Sequence, residues 1–325
     1  MPKKVQKKED NVFSLFPEEK VEECSIDESA VTGLFECVDK RQVACCYRNG
    51  ILFQSDSLAW LKSLKSECVD VVFADPPYNI KKADWDKFES QEAYIQWSME
   101  WVSECSRILK PTGCLFICGF SEILADLKHP SMRYFNSCKW LVWYYKNKAN
   151  LGKDWGRSHE SILLLRKSKN YTMNLDLVRI PYNEHTLKYP SHPQSVTSQF
   201  SKGKQRNNDW VPHPLGAKPK DVIEIPTTCN GMEEKTKHPT QKPEELLRKI
   251  LLSSSNPGDV ILDPFSGSGT SLVVAEQLCR KWVGCDMNAE YNSWAKKRLS
   301  SIKKHDLDYW LRFDRENNQR RESIR

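Results

Sequence analysis

Two rhythms of apolar residues alternate along this chain. Short β-branched runs give way to longer stretches whose apolar positions recur every three or four residues. Gly50 to Asp56 (GILFQSD) reads as a strand ending in an acidic residue. Ser57 to Ser66 reads as a helix with Leu58, Leu61 and Leu64 on one face. Val69 to Ala74 (VDVVFA), bounded by Asp-Pro-Pro, predicts a buried strand. Gln91 to Leu109 predicts a long helix with Ile95, Met99, Val102 and Ile108 inward, stopped by Lys110-Pro-Thr-Gly113. Cys114–Phe120, Lys139–Tyr145 and Glu160–Leu165 read as further strands.

From about Asn170 to Asn230 the periodicity fades, and Pro181, Pro190, Pro193, Pro212, Pro214, Pro219 and Pro226 punctuate the segment. Regular pattern then returns as helix Glu244–Ser253, strand Asp259–Asp263, helix Thr270–Cys279, strand Lys281–Asp286 and a last helix from Glu290. Strands alternating with helices on both sides of the irregular segment predict a doubly wound, Rossmann-like α/β sheet. Residues 1–33 are charged and aperiodic and are expected to form a flexible tail, as is the basic end, 305–325.

Composition narrows the class. Apolar residues make up 39% of 325, enough for a sizeable core. No apolar run approaches the ~18 residues that suggest a membrane span. The opening MPKKVQKKEDN has no apolar stretch behind its charges, so no secretory signal is expected. The chain is expected to be soluble and cytoplasmic, with no membrane partner. Its 12 cysteines are scattered without C-x-x-C or zinc-finger spacing. They are expected to be buried free thiols, and no metal site is expected.

Charge is unevenly placed. Lys146 to Lys249 carries net +8 and Lys296 to Arg325 net +5, within a total of +6. A basic middle segment on an acidic remainder is expected to face a polyanion.

Two motifs carry chemistry. Asp263-Pro-Phe265-Ser-Gly267-Ser268-Gly269-Thr270 follows a strand and opens a helix, where glycines let a ligand approach the backbone. The third glycine of a dinucleotide fingerprint would fall at 272, which is Leu272, and this argues against a pyrophosphate cofactor. The next strand ends at Asp286, 17 residues after Gly269, where a carboxylate can accept from ribose hydroxyls. A nucleoside without a pyrophosphate suggests S-adenosylmethionine.

The second motif, Asp75-Pro76-Pro77-Tyr78, ends a strand. The exocyclic amine of adenine or cytosine is a poor nucleophile because its lone pair is delocalised into the ring. An Asp carboxylate and a proline-flanked carbonyl can accept both N–H groups and localise that lone pair. Tyr78 offers a face for an extruded base. Cytosine C5 methylation needs a Cys nucleophile in a Pro-Cys pair, and the chain has no such dipeptide.

FADPPYNI, then KHPTQKPEELL, then ILDPFSGSGT resemble, in that order, the β class of amino DNA methyltransferases over roughly residues 45–302. The resemblance implies a seven-stranded methyltransferase sheet with an inserted target-recognition region. It implies a catalytic half at 34–169, the target-recognition insertion at 170–235 and a cofactor-binding half at 236–304. It places the cofactor at Asp263, Phe265, Gly267, Ser268, Gly269, Thr270 and Asp286, with Asp56 near its adenine. It places Asp75 between cofactor and target, and Thr240 and Lys242 near the methionine carboxylate. Double-stranded DNA is the implied partner, with a cognate restriction endonuclease and a homodimer as further expectations. Adenine N6 is favoured over cytosine N4 because the catalytic motif begins with Asp. RNA methylation, or an inactive DNA-binding or restriction-associated protein, are the alternatives.

The basic loop Lys146 to Glu160 either covers DNA or is ordinary solvated loop. Trp85 either covers the base pocket or anchors the core. His159 and Glu160 read as structural.

Overall fold

A computed structural model describes residues 31–36, 39–80, 86–146, 153, 155–189, 209–303 and 305–323. The tail before residue 31 and Trp85 lie outside the described residues, as does much of the loop after Lys146.

Among the described residues, nine strands form one sheet. They are β1 (Val43–Tyr47), β2 (Gly50–Phe53), β3 (Val69–Ala74), β4 (Leu109–Gly119), β5 (Ser137–Tyr144), β6 (His159–Arg166), β7 (Val222–Glu224), β8 (Val260–Asp263) and β9 (Lys281–Cys285). Their order is β1-β2-β9-β8-β3-β4-β6-β5-β7. The expectation of seven is exceeded at both edges. β1 pairs antiparallel with β2 across a short turn, and β7 returns from the irregular segment to run parallel to β5. Strands β2, β9, β8, β3 and β4 are mutually parallel, and β6 runs antiparallel to β4 and β5.

Helices cover both faces. α1 (Ser57–Lys62), α2 (Gln91–Ile108) and α3 (Ser121–Ser131) pack on one side. α5 (Glu244–Ser254), α6 (Thr270–Gln277), α7 (Ala289–Ser300) and α8 (Leu307–Ser323) pack on the other, while the short α4 (Glu184–Lys188) buries no residue. Burial on both faces explains why the central strands read as continuous apolar runs.

The inward face of α2 is turned from the expected one. Tyr94, Ser98, Trp101, Val102, Cys105 and Ile108 are buried, whereas Ile95 and Met99 lie at its flank. Two aromatic rings bury more surface than two aliphatic chains, so they take the centre. The stop signal Lys110-Pro-Thr-Gly113 is absorbed into β4 as an irregularity between the pairs Val69↔Leu109 and Val71↔Cys114. The end read as a frayed tail instead forms α8, docked through buried Trp310, whose ring lies 3.9 Å from the Arg248 guanidinium. Of the ten described cysteines, only Cys105, Cys114, Cys118 and Cys285 are buried.

The order of strands defines the site. The chain moves outward from β8 to β9 in one direction and from β3 to β4 in the other. A crevice therefore opens beyond the carboxyl ends of β8 and β3, where doubly wound sheets bind ligands.

Candidate active site

The turn after β8 lies on one side of this crevice. Gly267 and Gly269 hold φ of +50° and +76°, a region that L side chains rarely adopt. A Cβ at Gly269 would lie 2.6 Å from the Ala295 Cβ, and one at Gly267 2.9 Å from His238 Nε2. Buried Asp263 accepts from the Phe265 N–H at 3.0 Å and from the Ser271 hydroxyl. Burial pushes its carboxyl up to about 7, against the pull of those two bonds. Asp286, at the end of β9, accepts from the Gly267 N–H at 2.8 Å and the Asn288 N–H at 2.8 Å. Burial raises it as well.

Ser268 and Thr270 are tied to the scaffold. Arg298 donates to the Ser268 carbonyl and the Thr270 hydroxyl at 2.9 Å each, and its other nitrogen pairs with Glu244. Phe265 packs its ring 5.4 Å from Trp101. Asp56 is the N-cap of α1, accepting from the Ala59 N–H at 2.9 Å. It lies on the same edge of the sheet, because Phe53 accepts from the Asp286 N–H. The neighbouring Ser57 hydroxyl donates to the Pro264 carbonyl at 2.5 Å, which joins α1 to the glycine turn.

The turn after β3 lies opposite. Asp75 accepts from the Tyr78 hydroxyl at 2.5 Å and from Lys242 Nζ at 2.6 Å. Tyr78 also donates to Glu160 Oε2 at 3.2 Å, and Lys242 Nζ lies 3.3 Å from the same oxygen. Lys242, expected near the methionine carboxylate, holds two protein carboxylates in this structure. Burial pulls its ammonium down, but Asp75 and Glu160 outweigh this and hold it above the ordinary lysine value. Burial drives the Tyr78 phenol and the Cys118 thiol well up, so both are neutral at neutral pH. Thr240 lies beside this cluster: its N–H donates to His238 Nδ1 at 3.3 Å and its carbonyl accepts from Lys242.

Asp86 clamps the backbone of the second turn. Its carboxylate accepts from the N–H groups of Tyr78 and Asn79 at 2.6 Å each and of Ile80 at 3.2 Å. Tyr94 donates to the Pro77 carbonyl at 2.8 Å. The Tyr78 ring meets Phe120 edge-on at 5.0 Å, and the Arg157 guanidinium covers Phe120 at 3.7 Å.

Glu160 and Asp86 are the residues that sequence reasoning passed over. A charged residue entering the otherwise apolar strand ESILLLR was a usable signal for Glu160. Asp86 sits in a polar run, KKADWDKF, with nothing to set it apart. His159 is held by Ser121 at 3.1 Å, in keeping with a structural part.

A doubly wound sheet with a glycine turn and an Asp-Pro-Pro-Tyr turn facing each other across its switch point defines a nucleoside-dependent group-transfer enzyme. The DNA methylase family model matches residues 69–297, and the chain belongs to that family. The DNA adenine methyltransferase YhdJ of Escherichia coli (strain K12) is 35% identical over 252 residues, covering 76% of this chain and 82% of the relative. The type II methyltransferase M.HpaI of Haemophilus parainfluenzae is 35% identical over 257 residues, covering 77% and 74%. Among solved structures, the cytosine-N4-specific PvuII DNA methyltransferase superposes with a TM-score of 0.59 at 17% identity, covering 83% of this chain and 94% of its own. The complex of M1.HpyAVI with SAM gives a TM-score of 0.51 at 24% identity, covering 76% and 98%. The chain is a DNA methyltransferase of the amino type, acting on adenine N6 or cytosine N4. No described helix is long and apolar enough to cross a membrane.

Proposed function

We propose that the chain methylates adenine N6 in double-stranded DNA, with S-adenosylmethionine as donor. The observation that carries this is the Asp75 carboxylate at the end of β3, facing the glycine turn across the switch point. The turn suits a nucleoside-bearing donor. Its two glycines hold the left-handed conformation of the turn, and buried Ser266 Oγ has no hydrogen-bond partner among the described residues. Phe265, Ser266, Gly267, Asp286, Asp56 and Thr240 would hold the donor, which supplies a methyl group on a positively charged sulfur.

Asp75 takes one N–H of the target amine and the Pro76 carbonyl takes the other. The Pro77 carbonyl is already engaged by Tyr94. Two acceptors pull the amine toward tetrahedral geometry and free its lone pair for direct displacement. Cys118 is buried with its thiol pushed well up, so it supplies no thiolate for a covalent route. Lys242 Nζ sits 5.4 Å over the Tyr78 ring.

Adenine is preferred to cytosine because Asp75 heads the motif and because a relative at 35% identity is named an adenine methyltransferase. A pairing with a restriction endonuclease draws on the type II naming of M.HpaI. The test offers labelled S-adenosylmethionine with unmethylated duplex DNA or structured RNA, followed by digestion and mass spectrometry of the nucleosides. N6-methyladenine from DNA is expected. N4-methylcytosine would correct the base, and label in RNA alone would overturn the substrate.

A further inference from the structure

The catalytic cluster contains more charge than the two-acceptor scheme requires, and the surplus points to a part for Glu160. This part depends on Asp75 being the residue that meets the target amine. Lys242 Nζ lies 2.6 Å from Asp75 and 3.3 Å from Glu160, with its side chain 4% exposed. Solvent therefore screens these charges weakly. Tyr78 and Cys118 are neutral. Two carboxylates and one ammonium leave the cluster at net −1. Without Glu160, Lys242 would cancel Asp75 and leave it neutral.

Methyl transfer moves one positive charge across this space. The carbon–sulfur bond breaks and its electron pair stays on sulfur. A carbon–nitrogen bond forms from the amine lone pair, so the charge passes to nitrogen. It leaves as an N–H proton, through Asp75, to water. A net −1 cluster opposes that charge at both ends of its path. Glu160 also gives Lys242 a second acceptor when the amine N–H claims Asp75.

We propose that Glu160 is a positioning residue that shares Lys242 with Asp75 and keeps the cluster net negative, so that a sulfonium donor is held in preference to its thioether product. The two ligands differ by the positive charge on sulfur, and calorimetry of S-adenosylmethionine and S-adenosylhomocysteine reads that preference directly. In E160Q the preference should fall about tenfold, as expected for losing one charge at close range in a weakly screened site. E160D should keep most of it. The double variant E160Q/K242M returns the cluster to −1 through Asp75 alone and should recover the preference, with single-turnover methylation following the same order. K242M alone, at −2, should prefer the sulfonium more than the wild type does. A residue that merely braced the strand would give no such recovery on removing a second buried group. An unchanged affinity ratio in E160Q overturns the proposal; should that variant not fold, an unchanged ratio in K242M does so. If D75A still methylates, the reading of Asp75 fails, while the affinity ratios of the Glu160 variants stand apart from that result.

Discussion

The turn after β8 and the turn after β3 leave neighbouring parallel strands, yet the groups that hold them differ in kind. The first is set by left-handed backbone and by hydrogen bonds, without an ion pair at the turn itself among the described residues. Gly267 and Gly269 sit at positive φ, Asp263 accepts from Phe265 two residues on, and longer bonds reach Asp286, Arg298 and Ser57. The second is held by charged side chains, Asp86 from nearby and others from afar. Lys242 reaches Asp75 across 167 residues, and Tyr78 reaches Glu160 across 82. A ligand-binding turn needs open backbone, which glycine provides locally. A turn that tunes a nucleophile needs charges, and buried charges need partners from other elements.

The sharpest way to break this comparison is Asp75→Ala. It should lower methylation by roughly a thousandfold or more, since it removes an acceptor used in the transition state. Binding of the uncharged thioether product by calorimetry should survive, because the glycine turn is untouched. Gly269→Ala comes next. Its Cβ would stand 2.6 Å from Ala295 in a left-handed conformation, which should cost about 1–3 kcal/mol of stability. Unlike D75A, it should weaken cofactor binding and lower the unfolding temperature together.

Asp263→Asn separates charge from shape in the same turn. The wild-type carboxyl sits at about 7 folded, against an ordinary value near 3.8 unfolded. Between these values the unfolded chain has lost a proton that the folded one keeps. Wild-type stability contributed by this group therefore falls as pH rises from about 4 to 7, and is unaffected below that window. The asparagine keeps the bond from the Phe265 N–H without titrating. D263N should gain on the wild type in unfolding temperature across that window, and a constant difference would refute the assignment. Trp310→Ala, far from both turns, should cost about 2–4 kcal/mol of stability by emptying the contact with Arg248. Its methylation rate at low temperature should stay within about twofold of the wild type, which provides the control for general destabilisation.

Much of the frame was legible in the residues. Val69–Ala74 was delimited correctly because Asp-Pro-Pro ends a strand sharply, and the glycine turn fell where a strand meets a helix. α8 was missed because its composition is dominated by charge, and only Trp310 with its neighbours shows the face that docks. β1 and β7 were missed because edge strands are short and half exposed, so they carry little periodicity. The motif residues Asp75 and Lys242 were both singled out, but their mutual contact was not.

By itself the sequence determined the alternation of strand and helix, the two turns and the chemistry that Asp75 and the glycines permit, because each depends on residues close along the chain. The tertiary structure alone decided that Lys242 faces Asp75 and Glu160. Those contacts join strand ends and loops that only the sheet order brings together, and a charge chooses its partner by distance in space, which no local pattern encodes.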